Sequence, residues 1–276
     1  MRAKISIVTV STSLLLGFAY QSVQPLRDQV MFVQVGQGDA TIIRSGGRTV
    51  LIDDGPVTDM MDAGERYVVP ALRNGSPRLD AILLTHPDLD HVGGTAAVLR
   101  AYPNTPIIIS SEFRNHIGLQ DLLARWHLKP GQVHWISGTS WLRMGSTELR
   151  ITTPPADPAK DNSGSVLVRA TFGKCHAVFT GDAPEETEIW ASHRFDWTAD
   201  LMKVGHHGSA TSSSNVWLAV VKPKIAVVSC GRNNRYGHPA APTLARLSAA
   251  SVEIRRTDRE GDISYRPTDS GWLPDR

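Results

Sequence analysis

Short apolar runs separated by glycine and polar residues fill positions 29–52, and then the rhythm changes. Gln29 to Val35 reads as a strand, and Ala40 to Arg44 and Thr49 to Ile52 read as two arms of a hairpin. The linker Ser45-Gly46-Gly47-Arg48 carries paired glycines, which a tight primed turn needs. Asp59 to Arg73 switches to helical spacing. Leu79 to Leu84 is a short apolar strand, halted at Thr85-His86-Pro87 because Pro87 cannot donate to a ladder. Gly94 to Ala101 is helical again. Later strands are expected at 106–110, 132–136, 147–152, 165–171, 175–180, 200–204, 224–229 and 262–266. Helices are expected near 116–127, 184–193, 213–221 and 241–250, with the Pro-rich stretch 153–160 a long loop. Hairpins followed by strand–helix alternation predict an α/β protein with two mixed sheets and helices outside.

Composition sharpens this only at two points. With 276 residues, 41% hydrophobic and 20% charged, the chain can bury the core of one α/β domain. The net charge of +2 is too balanced to hold a polyanion by the surface as a whole, so any anion contact must be local. Residues 1–28 differ from the rest. Arg2 and Lys4 precede an apolar run from Ile5 to Tyr20, and no further charge appears until Arg27. That is the pattern of a secretory signal peptide or membrane anchor, with Gly17-Phe18-Ala19 suited to cleavage. The expectation is a single domain over 29–276, exported and either periplasmic, extracellular or anchored to the cytoplasmic membrane. Of the two cysteines, Cys175 begins one predicted strand and Cys230 ends another. Neighbouring parallel strands put those positions at opposite ends, so no disulfide is expected.

The chemistry concentrates in His86-Pro87-Asp88-Leu89-Asp90-His91, followed by Gly93-Gly94. Four potential metal ligands fall between an apolar strand and a helix, where open α/β sheets place their sites. A solvated acidic turn explains two aspartates but not two interleaved histidines. Three further predicted strands end on polar groups. Thr180-Gly181-Asp182 offers a carboxylate, His206-His207-Gly208-Ser209 two imidazoles, and Arg232 to Pro239 two arginines, a tyrosine and a histidine. Any one of these alone is an ordinary turn. Four together imply one convergent cleft.

These segments, with Val35-Gly36-Gln37-Gly38-Asp39 and Tyr236-Gly237-His238-Pro239, resemble the metallo-β-lactamase-fold hydrolases. More specifically they resemble the C-terminal domain of the ComEC family of DNA-uptake competence proteins, over roughly residues 29 to 266 and in the family's order. The resemblance implies a four-layer αββα sandwich of two mixed sheets. It implies two divalent ions, Zn or Mn. His86 and Asp88 would help hold one, with Asn162 where the broader fold has a histidine. Asp90 and His91 would hold the other, and Asp182 would bridge them. One of His206 and His207 would complete the second site while its neighbour faces substrate, and Asp90 and His207 are the residues assigned to catalysis. Asp39 and Asp53 are expected to order loops behind the ligands. Gln34 stands where the branch usually has an aspartate.

A dinuclear site lowers the pKa of bound water to about 7, which suits hydrolysis at neutral pH. Three carboxylates make the set harder than an all-histidine one and admit Mn²⁺ beside Zn²⁺. Phosphodiester hydrolysis of DNA or RNA is the leading expectation, with Arg232, Arg235, Tyr236 and His238 as a phosphate clamp. Hydrolysis of a small ester, lactone, lactam or phosphocholine group on the same fold is the alternative, because fold alone does not select substrate.

Overall fold

The alternation read along the chain becomes two sheets facing each other. A computed structural model of the protein describes residues 27–74, 78–157 and 162–275. The basic and apolar segment from Arg2 to Tyr20 lies outside the described residues. The first half supplies β1 (Gln29–Phe32), β2 (Thr41–Ser45), β3 (Arg48–Ile52), the two-residue pair β4 (Val57–Thr58) and β5 (Met61–Asp62), β6 (Ala81–Leu83), β7 (Ile107–Ser110) and β8 (Val133–Ile136). The second supplies β9 (Thr139–Met144), β10 (Thr147–Thr152), β11 (Leu167–Phe172), β12 (Cys175–Phe179), β13 (Leu201–Lys203), β14 (Ile225–Val228), β15 (Glu253–Arg256), β16 (Ile263–Thr268) and β17 (Gly271–Pro274).

One sheet runs β17-β16-β1-β2-β3-β6-β7-β8 and the other β15-β14-β13-β12-β11-β10-β9. In each, hairpin strands pair antiparallel and the strands that follow pair parallel. β16 and β17 then return to the first sheet beside β1. The period of two assigns the layers. Val50, Ile52, Ala81 and Leu83 join Val168, Ala170, Ala177, Phe179, Leu201 and Val227 in a core between the sheets. Their alternates Leu51 and Ile82 pack outward against Val68, Leu72, Val98 and Leu119 of the helical segments 64–73, 95–101 and 117–125. On the other side Leu167, Val178, Met202, Ala226 and Val228 pack against Ala191, Trp217, Leu218 and Leu247. These residues come from the helices Glu185–Ser192, Asn215–Val221 and Ala241–Ala249. The result is the expected αββα order.

The predicted hairpin turn holds, with Gly46 at φ 55° and Gly47 at φ 74°. The expected helix 59–73 begins late. Val57 to Asp62 forms the β4–β5 pair, and helical structure starts as a wide turn at Gly64–Val68 before Val69–Arg73. Strand β1 stops at Phe32, because Val33 to Ala40 turns inward to build the site. Strands β9, β15 and β17 were not expected. All three lie at sheet edges, where one side is solvated and the alternation is weak. Cys175 and Cys230 are buried free thiols, as their opposite strand positions required. Among the described residues no helix is long and apolar enough to cross a membrane.

Candidate metal centre

Each candidate ligand sits just past a strand end. The segment after β6 carries Thr85 to His91, with Asp90 and His91 in the short helix Leu89–Val92, the loop after β12 carries Asp182, the turn after β13 His206 and His207, and the loop after β14 Ser229 to His238. β12, β13 and β14 are parallel, so their ends open on one side. β3 and β6 are also parallel, which sets Asp53 beside Thr85. Glycine permits two close approaches that complete the packing. A Cβ on Gly38 would stand 2.4 Å from the Asp90 carbonyl, and one on Gly94 would stand 2.2 Å from the Asp54 carbonyl.

Hydrogen bonds fix the tautomers of the imidazoles. Asp53 accepts from the Thr85 amide at 2.8 Å and the Thr85 hydroxyl at 2.7 Å. Its Oδ2 lies 2.8 Å from His91 Nδ1, which therefore donates and leaves the lone pair on Nε2. The Thr85 hydroxyl has its proton on Asp53, so at 3.1 Å it accepts from His86 Nδ1, and His86 Nε2 is also a lone pair. His207 Nδ1 donates to the Ser229 carbonyl at 3.0 Å. The Nε2 atoms of His86, His91 and His207, and Oδ1 of Asp182, are buried without a hydrogen-bond partner among the described residues. Four desolvated, unsatisfied lone-pair atoms cost stability unless a cation takes them, so the donor set fits a divalent metal.

Distances divide the set. His91 Nε2 is 3.2 Å from Asp182 Oδ1. His207 Nε2 is 3.2 Å from Asp90 Oδ2 and 3.4 Å from Asp182 Oδ2. His86 Nε2 is 3.6 Å from Asp88 Oδ2 on the other side of the His86–His91 ring pair, whose centroids are 4.0 Å apart. Asp182 thus turns its two oxygens towards different imidazoles. Both adjacent histidines adopt left-handed backbone, His206 at φ 47° and His207 at φ 52°. That conformation costs on the order of 1–3 kcal/mol per residue and aims the two rings differently. His207 is buried within the cluster, while His206 stays 30% exposed with Nε2 3.5 Å from Asp182 Oδ2. The geometry therefore favours His207 as ligand and His206 as the ring facing substrate. Asn162 lines a cavity with His86 and Asp88 and has φ 64°.

Charge follows from burial. Burial alone would depress His91 and His207, but Asp182 with Asp53 raises His91, and Asp182 with Asp39 raises His207, well above the ordinary imidazole range, so that without a metal each Nε2 draws a proton in its place. Burial would raise Asp182, yet His207 and His91 hold it well below the usual carboxylate range. The pocket is a sink for positive charge. Asp39 lies within 4.8 Å of the ligand atoms of His91, Asp182 and His207. Its oxygens nevertheless face Nδ1 of His91 at 3.7 Å and Nδ1 of His207 at 3.5 Å, opposite the free Nε2 atoms. Asp39 stands behind the rings, and Asp53 does so by direct hydrogen bond.

Two contributors escaped the sequence reading. Lys203, 3% exposed at the end of β13, forms an ion pair with Asp39 and donates to the Gly181 carbonyl at 3.1 Å. A lysine ending an apolar strand reads as a solvated tip, and only the convergence of Asp39 on it shows otherwise. Glu188 accepts the amides of Ser213 at 2.6 Å and Ser214 at 2.9 Å, and the Ser213 hydroxyl accepts from Gly205 at 3.0 Å. That clamp supports the strained turn of His206 and His207.

Of the four expected substrate residues, three form one row. His238 stacks on His207 at 6.4 Å and meets His206 edge-on at 5.7 Å. Tyr236 stacks on His238 at 5.7 Å, and the Arg235 guanidinium lies 4.9 Å from the Tyr236 ring and donates to its hydroxyl at 2.8 Å. Arg232 leaves this row. Its Nε donates to the Asp258 carbonyl at 2.8 Å, and it lines a separate groove with Gln34, Met61 and Tyr67. On the opposite flank a cavity of about 690 Å³ opens beside His86 and Asp88.

Comparison with known proteins agrees with this geometry. The profile of the Metallo-beta-lactamase superfamily matches residues 33–232. The chain is 30% identical over 255 residues to ComE operon protein 3 of Bacillus subtilis, covering 86% of this chain and 33% of that one. It is 32% identical over 237 residues to Recombination protein 2 of Haemophilus influenzae, covering 85% of this chain and 28% of that one. The chain thus spans about a third of the length of these relatives. Among solved structures, the metallo-beta-lactamase fold protein YhfI from Bacillus subtilis aligns with TM-score 0.55 at 16% identity, over 83% of this chain and 96% of that one. A diphosphatase of the PhnP family aligns with TM-score 0.51 at 15% identity, over 86% of this chain and 97% of that one. At those identities the structural likeness speaks to fold.

Proposed function

The chain belongs to the metallo-beta-lactamase superfamily of metallohydrolases, and from that premise we propose that it hydrolyses phosphodiesters of nucleic acid. The observation that carries the reading is the row Arg235-Tyr236-His238-His207, which joins an exposed guanidinium to the metal cluster through stacked rings. Guanidinium groups grip phosphate oxygens, and a small neutral ester gains little from one there. Relatives named as competence and recombination proteins support a nucleic-acid substrate, and a diphosphatase on the same fold supports phosphoryl chemistry. The same relatives and the basic-then-apolar segment from Arg2 to Tyr20 support placement at the cell envelope, which fractionation of the full chain tests.

His86, Asp88, Asp90, His91, Asp182 and His207 would hold two divalent ions, with Asn162 at the edge of the His86 side. Bound ions supply a water acidified to about neutral pH and stabilise charge on the attacked centre. The protein's own part is orientation. Asp53 and Thr85 keep His86 and His91 in the tautomer with Nε2 free, and the Ser229 carbonyl does so for His207. His206 and His238 line the mouth, where either can hydrogen-bond a phosphoryl oxygen. Arg235 neutralises the approaching strand.

Assays of the purified protein on DNA, RNA, lactone, lactam and phosphocholine esters, with Mn²⁺ and with Zn²⁺, test the reading. Cleavage of DNA or RNA is expected. A protein that ignores both under either metal but turns over a lactone or phosphocholine ester overturns it.

A further inference from the structure

The cavity beside His86 differs in character from the arginine flank. Its lining includes the candidate ligands His86 and Asp88, so whatever fills it reaches the reacting centre. We propose that this cavity is a nucleoside pocket, which takes the base and sugar on one side of the scissile phosphate while the charged continuation lies along Arg235. The proposal rests on the phosphodiester reading above.

Size, surface and charge point the same way. About 690 Å³ falls inside the range of small-molecule pockets and suits one nucleoside with some water. The exposed His116 ring stands edge-to-face at 89° on the buried Phe113, with centroids 6.4 Å apart, and Ile117, 79% exposed, extends the apolar lip. Flat apolar surface of this kind stacks a base of any sequence. The amides of Asn115 and Asn162 offer donors and acceptors for a base edge or sugar hydroxyl. His116 is set as a donor. Its Nδ1 accepts the Leu119 amide at 3.2 Å, capping the helix Ile117–Arg125, so Nε2 carries the proton.

Among the described residues lining the cavity there is no lysine or arginine, whereas Asp88, Glu112 and Asp157 line it. A second phosphate is therefore repelled and an uncharged nucleoside is not. The two flanks of the metal cluster thus give the substrate a direction, with the neutral group at His86 and the anion at Arg235.

The test uses the full metal-loaded protein and three chromogenic diesters. They are methyl p-nitrophenyl phosphate and thymidine carrying p-nitrophenyl phosphate on its 3′ or on its 5′ oxygen. At least one thymidine isomer is expected to show a KM about tenfold below that of the methyl diester, the scale of one stacked base. The double variant Asn115→Ala/Ile117→Ser changes exposed side chains, so its fold persists. It should erase most of that KM difference while leaving the methyl diester and kcat nearly unchanged. A wild type that cleaves all three without preferring thymidine overturns the pocket, as does a double variant that slows all three equally. A wild type that cleaves none brings down the phosphodiester reading, and the pocket with it.

Discussion

His91 from the first sheet and His207 from the second both turn Nε2 to the same cluster and share Asp39 behind them, yet the hydrogen bond that fixes each ring comes from a different kind of group. Behind His91 is the Asp53 carboxylate, which also takes the amide and hydroxyl of Thr85 and through that hydroxyl steadies His86. One side chain orients two ligands. Behind His207 is the Ser229 carbonyl, a backbone group that no substitution removes. Asp53 itself is left-handed at φ 55°, and the second sheet strains two adjacent residues, His206 and His207, held down by Glu188 and the serines after them. One half of the centre is thus vulnerable through a side chain and the other through the stability of a turn.

Asp182 faces imidazoles from both halves, so its loss breaks the comparison at its root. Asp182→Ala should lower metal affinity by more than about 100-fold, beyond the range typical of a merely orienting partner. Elemental analysis and metal titration check this. A variant that keeps its metal places the centre elsewhere. Asp90→Ala should likewise abolish turnover with unchanged circular dichroism, because Asp90 lies at the partly exposed mouth of the cluster.

Glu188 sharpens the second half. Burial raises its carboxyl from 4.5 to about 7 despite two amide donors. Between those values the folded state keeps a proton that the unfolded chain has lost, so stability falls as pH rises through that window. The loss is about 3 kcal/mol and is complete near pH 8. Urea unfolding in chelator at pH 5 and pH 8 should show a fall in stability of at least that size in the wild type, to which the raised His91 and His207 add, and a fall smaller by about 3 kcal/mol in Glu188→Gln. Equal falls would remove Glu188 as the clamp of the histidine turn.

The asymmetry of ring support gives a smaller and more specific effect. Asp53→Ala should cost about 10–100-fold in metal affinity, the usual scale for losing a ligand's orienting partner. Thr85→Val should cost less and act through His86 alone. Ser229→Ala should cost almost nothing, because the carbonyl stays. If Ser229→Ala weakens metal as much as Asp53→Ala does, the distinction between the halves is wrong.

The smallest effect separates the two arginines. Arg235→Ala should reduce the salt dependence of nucleic-acid binding by about one phosphate contact, and metal content should not change. Arg232→Ala should leave the slope as it is, since Arg232 faces a different groove. Fluorescence anisotropy at several salt concentrations distinguishes them, and a larger change for Arg232 would move the substrate path to that groove.

Much of this molecule was legible in the chain alone. Hairpins followed by strand–helix alternation predicted two sheets with helices outside, and in the fold Leu51 and Ile82 face one way while Val50, Ile52 and Leu83 face the other. The hairpin at Gly46-Gly47 and the contiguous ligands from His86 to His91 needed no tertiary knowledge, because each is encoded within six residues. Edge strands β9, β15 and β17 were missed where one-sided solvation blurs the pattern, and Met60-Met61 lent helical spacing to what is a turn of β4–β5. What only the tertiary structure decided is what stands next to what. His206 and His207 are chemically identical neighbours, and their roles separate only when Asp90, Asp182 and Ser229 arrive from other strands. Lys203 becomes an internal cation only because Asp39, more than 160 residues earlier, folds against it. Local pattern records which face of an element is buried, since that depends on spacing along one segment. The partner of a buried charge depends on which distant strand ends meet, and no local spacing carries that.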